Sequence, residues 1–149
     1  MSGSIRTDVA PAPVGAYPHA RRVGELLFLS GIGPRVPGGD EIPGNVYSAD
    51  GALIDYDIAA QTRQVFANVR AVLGASGAYW EDLVDVTVFL THMARDFKTY
   101  NAVWAEYFPD PASAPCRTTL GITALPTPIA IELKCIARVT RSREPLNNP

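Results

Sequence analysis

The hydrophobic and polar positions of this chain follow a period of two in some segments and a helical period in others. From Leu83 to Thr91 every second residue is apolar, which predicts a strand with one face buried. The apolar side chains expected to share that face are Val84, Val86, Val88 and Leu90. From Ile58 to Gly74 the apolar residues recur instead at helical spacing, with Gln61 off the apolar stripe. An amphipathic helix is therefore expected there, with Asp57 as its N-cap.

Further segments complete the expected elements. An aromatic stripe predicts a second helix from about Asp96 to Phe108, which Pro109 ends. Strands are also predicted over residues 25–31, where the side chains are mostly apolar, over 117–122, and over 129–138, where apolar residues share one face. This order predicts an α+β fold, in which a mixed sheet carries both helices on one face. The second face of the sheet then needs a cover, and a closed homo-oligomer is the simplest one.

Length and composition fit one globular domain. The chain has 149 residues, 19% of them charged, and a net charge of -2. A single domain is expected over residues 14–141, with a flexible arm over 1–13 and a flexible tail over 142–149. No Lys/Arg run favours a nucleic-acid partner, and no apolar run is long enough to span a membrane.

Targeting signals and metal-binding patterns are also missing from the sequence. The N-terminus lacks the apolar stretch of a secretory signal, and two cysteines do not make a disulfide framework. A cytoplasmic protein is therefore expected. His19 and His92 are isolated, so no metal site is expected.

Arg117 is the first candidate for ligand chemistry. It opens a predicted strand, and Thr119 lies two residues further along as a second candidate for substrate binding. A guanidinium fixed at the start of a strand presents a rigid fork to a carboxylate. A surface arginine that pairs with a nearby acid is the alternative, since most arginines are exposed.

Glu132 and Lys134 are the second candidate. They lie two residues apart in a predicted strand, so both point to the same face, among otherwise apolar residues. A charged pair on a face that needs a cover indicates either a site or a buried salt bridge. The alternative is an edge strand with solvated charges.

The weaker candidates lie on loops and on the second helix. Ser30 and Gly31 follow a strand, where a glycine lets backbone groups approach a ligand, although by itself this pattern favours a plain strand-ending turn. Tyr17 fits either a phenol that closes over a ligand or a packing residue, and Asn101 either binds a ligand or faces water. Cys116 is interpreted as a passive thiol, because no histidine is suitably placed.

Together these segments resemble the RidA/YjgF family from Val14 to Arg138. The similar stretches are Gly15-Ala-Tyr-Pro, Leu29-Ser-Gly-Ile-Gly-Pro, residues 61–70, 86–90 and 96–108, Pro115-Cys-Arg-Thr-Thr, and Ile131-Glu-Leu-Lys-Cys-Ile-Ala. The resemblance implies a chorismate-mutase-like α+β fold. It also implies a homotrimer whose sheets form a central barrel, with ligand clefts between subunits.

The resemblance also implies an activity, the hydrolysis of reactive enamines and imines to ketones and ammonia without a cofactor. The family arginine that grips the substrate carboxylate falls on Arg117, and the family tyrosine falls on Tyr17. The loop that contributes backbone groups falls on Ser30 and Gly31, and the helix asparagine falls on Asn101.

One position departs from the general family pattern. Family members carry a glutamate, taken to position water, where this chain has Lys134; Glu132, two residues earlier, is not interpreted as the same site residue. The change resembles the 2-aminomuconate deaminase branch, as do Leu53-Ile-Asp-Tyr-Asp and Ala124-Leu-Pro-Thr-Pro-Ile. A lysine there suits a substrate with two carboxylates, because Arg117 can hold one and Lys134 can meet the other or polarise water.

The expected reaction protonates the enamine carbon, adds water to the iminium and expels ammonia, leaving a 2-oxo acid. Arg117 positions the substrate, while Tyr17 and Lys134 donate protons or orient water. Two alternatives stay open: a broad deaminase of small 2-imino acids, and a non-catalytic protein that binds a small carboxylate. The slight negative charge disfavours a nucleic-acid role.

Overall fold

The computed structural model describes residues 2–140, which form eight strands and two α-helices. The strands are β1 (Ser2–Ile5), β2 (Ala20–Val23), β3 (Leu26–Leu29), β4 (Val46–Tyr47), β5 (Leu53–Asp55), β6 (Leu83–Leu90), β7 (Cys116–Gly121) and β8 (Ile131–Arg138). The helices are α1 (Ile58–Ala75) and α2 (Met93–Tyr107). The tail expected over residues 142–149 lies outside the described residues.

Six of these strands form one mixed sheet in the order β1-β2-β3-β8-β6-β7, and β4 pairs with β5 in a separate hairpin. Neighbours in the large sheet are antiparallel except β6 and β7, which are parallel and connected through α2. One face of the sheet forms a single core with both helices. The α+β prediction is therefore confirmed.

Helix α1 begins as the sequence predicts, but it also buries three polar side chains, Gln61, Thr62 and Asn68. The Asp57 carboxylate caps the helix by accepting a hydrogen bond from the backbone N–H of Ala60 at 3.0 Å. Gln61, expected off the stripe, is instead fully buried. Its amide accepts from the backbone N–H of Ala130 and donates to the Asn45 side chain, both at 2.8 Å. These hydrogen bonds explain how a polar side chain is buried at this position.

Helix α2 begins at Met93, three residues earlier than the aromatic stripe predicts. His92 caps it, because Nδ1 accepts from the backbone N–H of Arg95 at 3.3 Å. The aromatic stripe indicates which part of α2 contacts the core. It does not indicate where α2 begins, because the first turn is set by the polar cap His92.

Strand β6 departs from simple alternation at its start. Leu83 and Val86 are buried, whereas Val84 is 45% exposed, because the register of β6 against β8 shifts between Leu83 and Asp85. The prediction that Val84 shares the buried face is therefore wrong, since an irregularity in pairing changes which side chains face the core.

The N-terminal residues also differ from the expected flexible arm. Ser2–Ile5 pair in antiparallel register with Ala20–Val23 and form the edge of the large sheet. Only Ile5 of this strand is even half-buried. An exposed edge strand needs no alternation of apolar residues, so its sequence carries no periodic signal.

The two faces of the sheet differ in the side chains that β8 presents to them. In β8 the odd-numbered residues Ile131 to Ala137 are buried against the helices, whereas Glu132 and Lys134 lie half-buried on the opposite face. Glu132 pairs with Phe89 of β6, and Lys134 pairs with Thr87. No helix covers this second face within the described chain, so we call it the open face.

Candidate functional site

Arg117 lies on the helix-covered face of β7, held over the aromatic rings of α2. Its guanidinium carbon is 4.9 Å from the ring centroid of Trp104 and 5.3 Å from that of Tyr100. Its Nη1 donates to Oδ1 of Asn101 at 2.9 Å. Within residues 2–140 no carboxylate forms an ion pair with it. Arg117 and Asn101, which the sequence analysis singled out separately, thus form one preorganised unit whose positive charge is available to an anion.

Thr119 belongs to the same unit. Its Oγ1 is 2.8 Å from the Tyr100 hydroxyl. Burial raises the pKa of Tyr100, so the phenol stays protonated at neutral pH. The sequence analysis placed Tyr100 and Trp104 only in the aromatic stripe of the second predicted helix. Their second role could be inferred only from the position of β7 beside α2, which brings Arg117 over their rings.

A second group of predicted residues lies around a cavity at the end of β3. Tyr17, Ser30 and Gly31 line this cavity, and so do Glu132 and Arg35. The Tyr17 hydroxyl accepts a hydrogen bond from the backbone N–H of Val14 at 3.2 Å, which fixes the ring on the cavity wall. We call this space the Glu132 cavity.

Ser30 and Gly31 have different parts in that wall. The Ser30 hydroxyl donates to the carbonyl of Pro18 at 2.7 Å, and its backbone N–H donates to the carbonyl of His19 at 3.0 Å. Both donors of Ser30 are therefore used inside the protein. At Gly31 a Cβ atom would lie 2.9 Å from Oε2 of Glu132, so the glycine leaves room for that carboxylate.

Glu132, which the sequence analysis raised together with Lys134 but gave no separate role, is the carboxylate that lines this cavity. Burial raises the pKa of its carboxyl group above the ordinary value of 4.5. Neither a salt bridge nor a side-chain hydrogen bond joins it to another described residue, so the alternative of a Glu132–Lys134 salt bridge does not hold. Their spacing places Glu132 and Lys134 on the same face of β8. The contact with Gly31 shows that Glu132, and not Lys134, is the one beside the cavity.

Lys134 does not line the Glu132 cavity. Its Nζ donates a short hydrogen bond to the backbone carbonyl of Leu29, at the end of β3. The ammonium group therefore ties β8 to the segment that leads into Ser30. The role of Lys134 in catalysis stays a prediction.

A single chain does not bring the two groups together. Val86 of β6 pairs with both Arg117 and Cys135, which places Arg117 on the helix-covered face, whereas Glu132 points to the open face. Two strands, β8 and β6, also separate β3 from β7. One substrate can therefore reach both Arg117 and Glu132 only where two copies of the chain meet.

Two kinds of feature are absent among the described residues, a cluster of metal-ligating side chains and a membrane-spanning helix. No group of three or more His, Cys, Asp or Glu residues there could hold a metal ion. Neither described helix is long and apolar enough to cross a membrane. Cys116 is exposed on β7, whereas Cys135 is buried, and burial raises the pKa of its thiol to about 12.

The fold and the site define a small α+β protein with an arginine that has no ion-pair partner among the described residues and a cavity lined by the Glu132 carboxylate. The chain belongs to the family described as Endoribonuclease L-PSP, whose profile matches residues 7–139. The resemblance to the RidA/YjgF family is thereby confirmed.

Named relatives extend this comparison. Over 133 residues the chain is 37% identical to Reactive Intermediate Deaminase A, chloroplastic, of Arabidopsis thaliana; the match covers 89% of this chain and 64% of that protein. It is 34% identical over 138 residues to the 2-iminobutanoate/2-iminopropanoate deaminase of Escherichia coli, covering 92% of this chain and 98% of that one. The crystal structure of E. coli TdcF with bound serine superimposes with a TM-score of 0.77 and 30% identity, over 94% of this chain and 99% of that one.

Proposed function

We propose that this protein hydrolyses the enamine or imine nitrogen of a 2-amino-2-enoate or 2-imino acid, releasing ammonia and a 2-oxo acid. The observation that carries the proposal is Arg117, a half-buried arginine fixed by two aromatic rings and Asn101 and free of any described carboxylate. Such a guanidinium fits the carboxylate next to the reacting carbon. The names of the plant and E. coli relatives support the same reaction class.

The proton transfers are assigned to the Glu132 cavity. Enamine hydrolysis needs a proton on carbon, a water molecule at the iminium carbon and a proton on the departing amine. A carboxyl group with a raised pKa suits these transfers near neutral pH, because it gains and loses a proton more readily there than an ordinary glutamate. Tyr17 lies on the same wall and can orient the water. In this scheme Lys134 supports the wall through the Leu29 carbonyl.

The active unit in this proposal is a homotrimer with its sites between subunits. Arg117 and Glu132 lie on opposite faces of one sheet, so a complete site needs Arg117 from one copy and Glu132 from the next. The open face also carries exposed or half-buried apolar side chains that another copy can cover, among them Phe28, Phe89, Leu120 and Ile136. A mass three times the 16.0 kDa of one chain is expected in solution.

Within this reaction class we propose a dicarboxylate substrate, 2-aminomuconate. Support comes from the branch-like segments Leu53-Ile-Asp-Tyr-Asp and Ala124-Leu-Pro-Thr-Pro-Ile, and from the lysine at position 134. A broad deaminase of small 2-imino acids is the second candidate, and the name of the E. coli relative favours it. The two substrates differ in length and in the number of carboxylates, so kinetics separate them directly.

The test generates 2-aminomuconate in place and follows its loss of absorbance together with the release of ammonia, with 2-iminopropanoate as the second substrate. Arg117→Ala is expected to reduce kcat/KM by about a hundredfold or more, because it removes a charge-assisted fork and the positioning that depends on it. The oligomer is expected to stay intact.

The matched control is Arg63→Ala. Arg63 is an exposed arginine of α1 that pairs with Glu106 at 2.8 Å, so it carries the same charge away from the site. Its variant is expected to keep wild-type activity. Full activity in Arg117→Ala would contradict the assignment of Arg117 to substrate binding. Carboxylate-dependent thermal stabilisation without any ammonia release would instead identify a binding protein.

A further inference from the structure

The Glu132 cavity contains a cationic side chain of its own, separate from Arg117. Arg35 is the one Lys or Arg among the described residues that line it, and its side chain is only 18% exposed. The other lining residues are mainly apolar or small, such as Ile32, Val72 and Ile129. A largely buried guanidinium in a wall that is mainly apolar is costly unless an anion offsets it, and Glu132 makes no salt bridge with Arg35.

The backbone around Arg35 is held in place by α1. Asn68 is buried, and its Nδ2 donates to the carbonyl of Gly33 at 2.8 Å and to the carbonyl of Arg35 at 2.7 Å. Gln64 in turn donates to Oδ1 of Asn68 at 3.0 Å. The long loop after β3 is thus fixed at the point where Arg35 enters the cavity, so little ordering is needed when a ligand binds.

The protein itself uses only part of the guanidinium. Nη2 donates to the backbone carbonyl of Ala12, and Nη1 is 3.8 Å from a carboxylate oxygen of Asp40. Asp40 is fully exposed, so this pair is solvent-screened and competes weakly with a ligand. Further N–H donors of the fork remain available for a carboxylate in the cavity.

We propose that Arg35 binds the second carboxylate of a dicarboxylate substrate and thereby sets the preference of this site for dicarboxylates over monocarboxylates. The inference rests on the proposed function, in which Arg117 of the neighbouring copy holds the first carboxylate. Glu132 then faces the reacting carbon between the two arginines, and the apolar wall contacts the hydrocarbon chain. Lys134, which the sequence suggested for the second carboxylate, donates instead to the Leu29 carbonyl.

A purely structural role for Arg35 is the alternative to exclude. Its bond to Ala12 ties residues 10–13 to the loop after β3, so loss of the side chain could open the cavity wall. Arg35→Gln addresses this directly, because a glutamine amide can still donate to the Ala12 carbonyl but carries no charge. Arg35→Lys keeps the charge and loses the fork. Arg63→Gln makes the same charge change on the exposed surface of α1.

The first experiment compares both substrates in these variants. Arg35→Gln is expected to raise KM for 2-aminomuconate by about tenfold or more, as for the loss of one charge-assisted hydrogen bond, and to lower kcat/KM for 2-iminopropanoate far less. Arg35→Lys is expected to fall in between, and Arg63→Gln to match the wild type. An equal loss on both substrates in Arg35→Gln would overturn the proposal, because a collapsed cavity wall affects both.

The second experiment measures binding and does not depend on turnover. Muconate and sorbate share a six-carbon diene and differ in whether the far end is a carboxylate or a methyl group. The wild type is expected to bind muconate about tenfold more tightly than sorbate by calorimetry, and Arg35→Gln is expected to lose this difference. Equal affinities in the wild type would refute the role of Arg35. Absence of ammonia release with the muconate preference intact would refute only the proposed deaminase function.

Discussion

At the scale of single residues, burial of Glu132 distinguishes it most clearly from a surface carboxylate. Burial raises the pKa of its carboxyl group above 4.5, so the carboxylate form is lost at a higher pH than in an exposed glutamate. If the carboxylate orients water, kcat/KM falls as the pH drops through this raised pKa. In Glu132→Gln this fall of kcat/KM at low pH, the acidic limb of the profile, is expected to disappear, and the rate is expected to drop by about a hundredfold or more. Glu132→Asp is expected to keep the acidic limb. A pH–rate profile of the three proteins checks this.

The folding control for Glu132→Gln follows from the same pKa. A carboxyl group whose pKa is higher in the folded state stabilises the fold at low pH, and this contribution is lost as the pH rises through the folded-state pKa. Removing the charge therefore leaves the melting temperature at pH 7 unchanged or higher. An inactive variant that also melts earlier at pH 7 would indicate damage to the fold, and an unchanged acidic limb would exclude Glu132 as the titrating group.

At the scale of elements, one buried amide connects three parts of the fold. Gln61 of α1 accepts from the backbone N–H of Ala130 just before β8 and donates to Asn45 just before the β4–β5 hairpin. Gln61→Leu leaves both partners without it and is expected to destabilise the protein by about 2 kcal/mol. Urea unfolding measures this, with Arg63→Leu on the exposed side of α1 as the control. Equal stability of the two variants would show that water replaces the amide.

The elements that could be predicted are those whose side chains repeat against one core. Helix α1 and strands β6 and β8 have such a pattern, and their predicted bounds lie within about two residues of the observed ones. Strand β1 and the β4–β5 hairpin are exposed, so no burial pattern marks them. The burial of Gln61 was missed because its two hydrogen bonds depend on residues 16 and 69 positions away.

The candidate site was predictable in its residue types but not in its arrangement. The sequence singles out Arg117 and Asn101 separately, and the structure joins them through a bond of 2.9 Å. Glu132 and Arg35 required knowledge of which strand follows which in the sheet, because their common cavity is built from segments about a hundred residues apart. Local periodicity assigns a face to each residue but does not give its neighbours across the sheet.

At the scale of the whole molecule, the separation of Arg117 from Glu132 gives a test that no single-site variant provides. Arg117→Ala and Glu132→Gln are each expected to be inactive as pure oligomers. If every site combines Arg117 of one subunit with Glu132 of the next, subunits unfolded together and refolded as an equal mixture regain sites that have both residues. About a quarter of the wild-type activity is expected, since each such site needs one subunit of each kind in the right order. If both residues served the same substrate within one chain, the mixture would stay inactive, because every chain lacks one of them. A mixture of Arg117→Ala with Arg117→Lys controls for activity recovered by refolding alone, since no site in it contains Arg117.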